Sequence, residues 1–345
     1  MERKVEIYGT LGPACSSEET LLQMFQAGLT GMRLNLSHTG LRESADIVNH
    51  FRQAAQAAKI YPQLLIDMQG PELRVGDLEN GLVLEPDTTV SLTAVGKEYS
   101  ASFACSVPVP QPVISALKAG DEILLNDGKL LFIAAEVYED YAVCKVVRGG
   151  VLTGHKSVKI VGKQVEMPVL TDHDLKNIRL ASEYGVTGLM QPFVRNGQDL
   201  AHVRELLMQN GAGQVKIFAK IENRAALAEL DSIIKEADVI IIARGDLGND
   251  MDLWELPAVQ KDIEAACKSA DKPFIVVTQM LASMEENPVP TRAEVSDIFN
   301  AVTDGAYGVM ITGESAVGKY PVEAVRYLAN TANKAAAWME ISKNK

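Results

Sequence analysis

The sequence is poor in cysteine, in aromatic residues, in long apolar runs and in net positive charge, and each shortage removes a class of protein. Only Cys15, Cys105, Cys144 and Cys267 occur in 345 residues. They lie far apart, without the close pairing of zinc ligands and in numbers too small for the disulfide framework of a secreted mini-domain. A reducing, cytoplasmic setting is the expectation. No apolar stretch approaches the ~20 residues that cross a bilayer. The longest aliphatic runs, such as Val239–Ala243, have strand length, and the first residues show no signal-type apolar core. No membrane partner is expected. With 33 Lys and Arg against 45 Asp and Glu, the formal net charge is −12. That field opposes whole-surface binding of nucleic acid but leaves small anions to a few local cations.

What is present is aliphatic and globular: 47% hydrophobic, 23% charged and only 6% aromatic, so the core must be built from Val, Ile, Leu, Ala and Met. The length exceeds one ordinary domain of ~100–200 residues, which leaves one barrel-sized domain or two smaller ones. Two textures alternate along the chain. Eight strand-length segments, Val5–Thr10, Gly31–Leu36, Gln63–Met68, Thr187–Gln191, Val215–Lys220, Val239–Ala243, Pro273–Thr278 and Gly308–Ile311, alternate with amphipathic stretches. The latter are Ser17–Ala27, Leu41–Ala58, Asp172–Tyr184, Gly197–Asn210, Asn223–Lys235, Trp254–Ala270, Thr291–Asp304 and Tyr320–Trp338, several opening on a capping residue. Eight such units spell an α/β fold, a (β/α)8 TIM barrel or else a doubly wound sheet. Between the third strand and its helix, residues 70–168 turn rich in Val, Leu, Thr, Gly and Pro, with alternation in Thr88–Leu92, Glu122–Leu125 and Ala142–Val147. This predicts an inserted all-β, β-barrel-like lid domain interrupting a catalytic barrel of residues 1–69 and 169–345, hinged near Gly70–Pro71 and Glu166–Pro168.

A barrel places chemistry where its strands end, and the polar residues fall there. Lys220 and Glu222 are two apart at the end of one strand and so share a face; Asp246 ends the next. Two carboxylates so placed can ligate a hard cation, Mg2+ or Mn2+, and leave positions open for substrate oxygens. The plainer alternative is an ion pair of Lys220 with the carboxylates. Arg33 can clamp a phosphoryl group, and Asn35, Ser37 and Asp67 offer oxygens to a cation or to hydrogen bonds. Ser37 alone also suits a helix cap. Thr278 can direct a hydroxyl into the barrel mouth or cap a helix; His38 is a lone histidine beside the same group. Neither a Walker-type loop nor a Rossmann fingerprint occurs, so a nucleotide would depend on scattered cations. Lys156 and Lys159 are candidates for closing a lid over phosphates, or a solvated basic strand.

The segments GTLGPA at Gly9–Ala14, RLNLSH at Arg33–His38, DMQGPELR at Asp67–Arg74 and KIEN at Lys220–Asn223 stand in register with four more. These are ARGDLG at Ala243–Gly248, TQML at Thr278–Leu281, PTRAE at Pro290–Glu294 and GESA at Gly313–Ala316. In order and separation, across essentially the whole chain, they resemble the pyruvate kinase family. The resemblance implies phosphoryl transfer from phosphoenolpyruvate to ADP, giving pyruvate and ATP. It implies Glu222 and Asp246 on Mg2+, Lys220 and Arg33 stabilising the transferred group, and Thr278 in the relay that protonates the enolate. The backbone at Arg244, Gly245 and Asp246 would take the substrate carboxylate. Asn35, Ser37, Asp67 and the carbonyl of Met68 match the family's K+ site, and Glu72 is its K+-dependent residue type. Nucleotide contacts would come from Thr10, Pro13, Arg33, His38, Arg74 and Lys156. Departures are Pro192 where the family usually has Ser and Asn126 where it usually has Asp. A further departure is the end at Lys345, before the usual C-terminal regulatory domain. The expectation is a short form without the usual effector site, able to form a homodimer through its barrel helices. Rival readings are a metal-dependent aldolase or lyase acting through a pyruvate enolate, and a non-catalytic paralogue.

Overall fold

The computed structural model describes residues 5–343 apart from 38, 72, 79–80, 98–104, 127, 164 and 166. In chain order β1 (Glu6–Thr10), β2 (Gly31–Asn35) and β3 (Gln63–Asp67) come first. Then follow β4 (Leu82–Leu84), β5 (Thr89–Ala94), β6 (Ser106–Val109), β7 (Glu122–Leu125), β8 (Leu130–Val137), β9 (Tyr141–Arg148), β10 (Gly150–Leu152) and β11 (Val158–Ile160). The series ends with β12 (Gly188–Gln191), β13 (Lys216–Ile221), β14 (Val239–Ala243), β15 (Phe274–Val277) and β16 (Gly308–Met310). The strands β1-β16-β15-β14-β13-β12-β3-β2 close into one parallel barrel. The eight expected segments are these eight strands, each within a residue or two of its predicted limits.

Alternation explains why aliphatic runs become barrel strands. In β14 every residue is buried, because one face meets the barrel interior and the other the helices. Val239, Ile241 and Ala243 join Tyr8, Leu65, Met190, Phe218, Ile275, Val277 and Met310 inside the barrel. Ile240 and Ile242 belong instead to the larger layer between strands and helices. The interior is filled by few but large rings, and glycines make the room. A Cβ on Gly31 would stand 2.8 Å from Tyr8 Cε1, one on Gly308 3.0 Å from Tyr8 Cε2, and one on Gly188 2.5 Å from Phe218 Cε2.

The expected helices form, several with capping chemistry. Thr171 and Thr291 each make a reciprocal capping box, with Asp174 and Glu294 respectively. One expectation is corrected: Asn223–Lys235 is two pieces, Arg224–Ala228 and Leu230–Glu236, because the backbone leaves helical geometry at Glu229. The second piece is seated by Ser232, whose Oγ accepts from Gly197 N at 3.0 Å.

The chain divides into two compact units, Met1–Gly70 with Val169–Lys345, and Pro71–Pro168. Within the second, six strands run in the order β11-β7-β8-β9-β5-β6 and β4 pairs with β10. Its own core gathers Val90, Leu92, Val107, Leu125, Phe132 and Val146. The unit is not wholly β. Gln111–Ala116 is a helix that begins after Pro110 and tolerates Pro112 in its first turn, where no intrahelical N–H is needed. Among the described residues no helix is long and apolar enough to cross a membrane.

Candidate functional site at the strand ends

Parallel register brings the polar ends of separate strands to one rim. Thr10 is level with Arg33 across β1 and β2, and Asn35 with Asp67 across β2 and β3. Lys220 is the penultimate residue of β13, and Glu222 follows that strand directly.

Asp67 is the hub. It is 2% exposed, and its Oδ2 accepts from Arg33 Nε at 2.8 Å and meets Arg33 Nη2 at 2.7 Å. On its other side Lys220 Nζ lies 3.5 Å from Oδ1. Burial by itself would raise the Asp67 carboxyl, but the Lys220 and Arg33 charges outweigh it and hold the group below its ordinary range. Lys220 Nζ also stands 2.6 Å from Glu222 Oε1. Burial opposes the ammonium charge, yet Asp67 and Glu222 together keep Lys220 firmly protonated, its pKa raised. Glu222, likewise 2% exposed, is pushed up to about 7, chiefly by burial and further by the Asp246 charge, against the pull of Lys220. Its Oε2 accepts from Phe193 N at 2.7 Å. Phe193 has φ 52°, a left-handed conformation that aims its N–H at the carboxylate.

Two buried oxygens here, Asp67 Oδ1 and Glu222 Oε1, lack any aligned hydrogen-bond donor; their contacts with Lys220 are ion pairs off the hydrogen-bond axis. Asp246 lies exposed in the first turn of the helix Arg244–Asp250. Among the described residues no group of three or more His, Cys, Asp or Glu converges to enclose a metal. Glu222, with one oxygen facing the Lys220 ammonium, and the exposed Asp246 are a pair of carboxylates that fits Mg2+, which takes one or two protein carboxylates and completes its shell with water and phosphate oxygens.

Arg244 is a structural clamp. Its Nη1 pairs with Asp297 at 2.7 Å, and its Nε and Nη2 donate to the Thr278 carbonyl at 3.2 and 2.7 Å. Thr278 and Gln279 have φ values of 82° and 55°, costly for a β-branched residue. The close approach needs Gly245: a Cβ there would stand 3.0 Å from Thr278 Cγ2. The helix Arg244–Asp250, itself tied to Asp297, therefore holds Thr278 at the rim.

Asn35 Oδ1 accepts from Ser37 N at 3.1 Å and Ser37 Oγ at 2.8 Å, so these two expected cation ligands meet in one turn. Met68 N donates to Met190 O at 3.2 Å. Thr10 is tied down by Ser315: Thr10 N donates to Ser315 Oγ at 2.7 Å, and Thr10 Oγ1 donates to Ile311 O at 3.1 Å. Pro13 is exposed at the start of a 3-10 turn. Arg74 and Lys156 belong to the inserted unit, where Arg74 Nη1 donates to His155 O at 2.5 Å and Lys156 O accepts from Val75 N. His38 and Glu72 lie outside the described residues, as does the expected hinge residue Glu166.

Sequence reasoning missed the residues that hold the site rather than form it. Phe193 N–H, Asp297 and Asp174 are the clearest. Asp174, fully buried, accepts from Gln69 N at 2.8 Å and Gly70 N at 3.0 Å, fixing the turn after β3. Only Asp174 left a signal, as the fourth residue of the capping pattern that begins at Thr171.

Comparison with known proteins identifies the family. The family model described as pyruvate kinase, barrel domain, matches residues 2–325. The chain is similar to the pyruvate kinase of Geobacillus stearothermophilus, 37% identical over 94% of this chain and 56% of that protein. It is also similar to those of Bacillus licheniformis, 36% over 96% and 57%, and Mycobacterium intracellulare, 37% over 95% and 69%. It thus spans little more than half the length of the first two relatives.

Proposed function

The chain belongs to the pyruvate kinase family, and from that premise we propose that it is a phosphotransferase acting on phosphoenolpyruvate and ADP. The reaction consumes one proton: the phosphoryl group leaves the enol oxygen for the β-phosphate of ADP, and the pyruvate enolate is protonated at carbon. The observation that carries the reading is the buried Arg33–Asp67–Lys220–Glu222 array, which unites the ends of β2, β3 and β13.

Phosphoryl transfer asks for positioning and charge neutralisation more than for a nucleophile. Lys220 and Arg33 supply fixed positive charge toward the transferred group, and Asp67 orients both. Mg2+, when bound by Glu222 and Asp246, would neutralise phosphoryl and carboxylate oxygens as a Lewis acid. The backbone of Arg244, Gly245 and Asp246, held by Asp297 and Thr278, receives the substrate carboxylate. The Thr278 hydroxyl belongs to the proton relay. K+ would be held by Asn35, Ser37, Asp67 and the Met68 carbonyl; the meeting of Asn35 and Ser37 in one turn supports this. Thr10, Pro13 and Arg33 are the barrel unit's candidates for nucleotide contact. A homodimer through the barrel helices is part of the same reading.

The test is a coupled assay for pyruvate with Mg2+ and with K+ or Na+. ADP-dependent pyruvate formation, faster in K+, is expected; no ADP-dependent product in either salt overturns the reading. Pyruvate released without any need for ADP would favour lyase chemistry at the same carboxylates.

A further inference from the structure

The segments TQML at Thr278–Leu281 and GESA at Gly313–Ala316 follow neighbouring strands, β15 and β16, which pair in parallel from Ile275 with Gly308 to Val277 with Met310. The turn after β15 carries two successive left-handed residues, Thr278 and Gln279, at φ 82° and 55°. Arg244 fixes the Thr278 end of that turn through the Thr278 carbonyl. Backbone in so sparsely populated a region persists only where its surroundings over-determine it, so the far end of the turn calls for a restraint of its own.

Glu314 supplies it. The side chain is buried, and its two oxygens face two different turns. Oε1 accepts from Leu281 N at 3.0 Å, while Oε2 accepts from Thr312 N at 2.7 Å and from Thr312 Oγ1 at 3.4 Å. One carboxylate therefore clasps the turn after β15 to the turn after β16. The short helix that carries it is anchored independently: Ser315 Oγ accepts from Thr10 N at 2.7 Å and donates to Thr10 O at 3.0 Å. A side chain that must accept on both oxygens has no neutral equivalent. Glutamine offers one oxygen, and its NH2 would meet a backbone N–H head-on. Because Thr312 presents two donors and Leu281 one, the amide oxygen would stay with Thr312 and the Leu281 end of the turn would be released.

We propose that Glu314 is a positioning residue for Thr278: by tying Leu281 N to the end of β16, it holds the strained turn in the conformation that keeps the Thr278 hydroxyl at the rim while the enolate is protonated. The inference rests on the reading of Thr278 as a member of the proton relay. Glu314 itself touches no reacting atom; it acts through the backbone of residues 278–281, with Arg244 at one end and its own carboxylate at the other. Charge-assisted bonds of this kind are the stronger sort, which suits a turn that must resist relaxing toward ordinary dihedrals.

A double-mutant cycle on the full chain tests it, with Glu314→Gln, Thr278→Ala and the two combined. Glu314→Gln should lower kcat about tenfold or more, and leave KM for phosphoenolpyruvate and the affinity for Mn2+ within about twofold, since its bonds go to Leu281 and Thr312 and not to the proposed ion ligands. In the Thr278→Ala background the same substitution should change kcat by less than about twofold, because the hydroxyl it positions is already gone. If the two losses multiply in the double variant, Glu314 acts elsewhere and the proposal falls. It falls as well if Mn2+ affinity drops in step with kcat, which would make Glu314 a general scaffold, or if kcat is unchanged. Should Glu314→Gln fail to fold, Glu314→Asp takes its place: one methylene shorter, it keeps the charge near Thr312 and withdraws from Leu281 N, and the same non-additivity is expected. Full activity in Thr278→Ala removes the relay and this inference together. A wild-type chain that makes no ADP-dependent pyruvate overturns the proposed reaction itself, an outcome distinct from multiplying losses in an active enzyme.

Discussion

Asp67, Lys220 and Glu222 share one problem, burial of charge, and solve it through each other. Replacing Lys220 leaves two buried carboxylates facing only Arg33, so Lys220→Met should lower turnover by at least about 10²–10³-fold, the scale of losing one transition-state charge partner. Divalent-ion binding should survive at alkaline pH, where Glu222 and Asp246 remain ionised, and weaken near neutrality, because loss of Lys220 removes the charge that pulls the Glu222 carboxyl down. Coupled kinetics and Mn2+ titration check both halves, and full activity in the variant removes Lys220 from its role. Glu222 also fixes a pH dependence. Its pKa is raised to about 7 by burial and by Asp246, so below that pH a proton competes with the cation for the same oxygens. Mn2+ affinity of the free protein should therefore rise with pH up to about 7 and level off above it, falling by at most about tenfold per unit on the acid side. A flat profile from pH 5.5 to 8 would refute the assigned ligand.

The element scale shows why most of the fold was legible. A fully aliphatic β14 needs cover on both faces, and a barrel wrapped in helices provides it. The capping patterns at Thr171 and Thr291 likewise marked real helix starts. What sequence could not show was the fit of ring against glycine. Gly308→Ala would place a Cβ 2.9 Å from Glu6 O and 3.0 Å from Tyr8 Cε2. Overpacking of this kind should cost about 1–3 kcal/mol, read as a lower denaturation midpoint at unchanged slope. Periodicity failed where the chain breaks its own pattern. Glu229 interrupts an amphipathic stretch with no Gly or Pro to announce it, and the six-residue helix Gln111–Ala116 is too short to establish a period inside a β-rich segment.

At the scale of the whole molecule, two units with separate cores need not unfold together. One core joins the strands and helices of the barrel, and the other lies wholly within Pro71–Pro168. Scanning calorimetry should give a van't Hoff enthalpy below the calorimetric one, or two resolved transitions. Equal enthalpies in a single transition would show that the units are thermodynamically one.

The sequence by itself determined the class of fold, the interruption after the third strand and the residue types gathered at the strand ends, because those depend on period, composition and spacing. Lys220 and Glu222 had to share a face once they lay two apart in a strand. Only the tertiary structure decided that Asp67 stands between Arg33 and Lys220, that Phe193 turns its N–H to Glu222, and that Glu314 reaches Leu281 N. Those contacts join segments tens to well over a hundred residues apart, and their geometry follows from barrel closure and register, which no local pattern encodes.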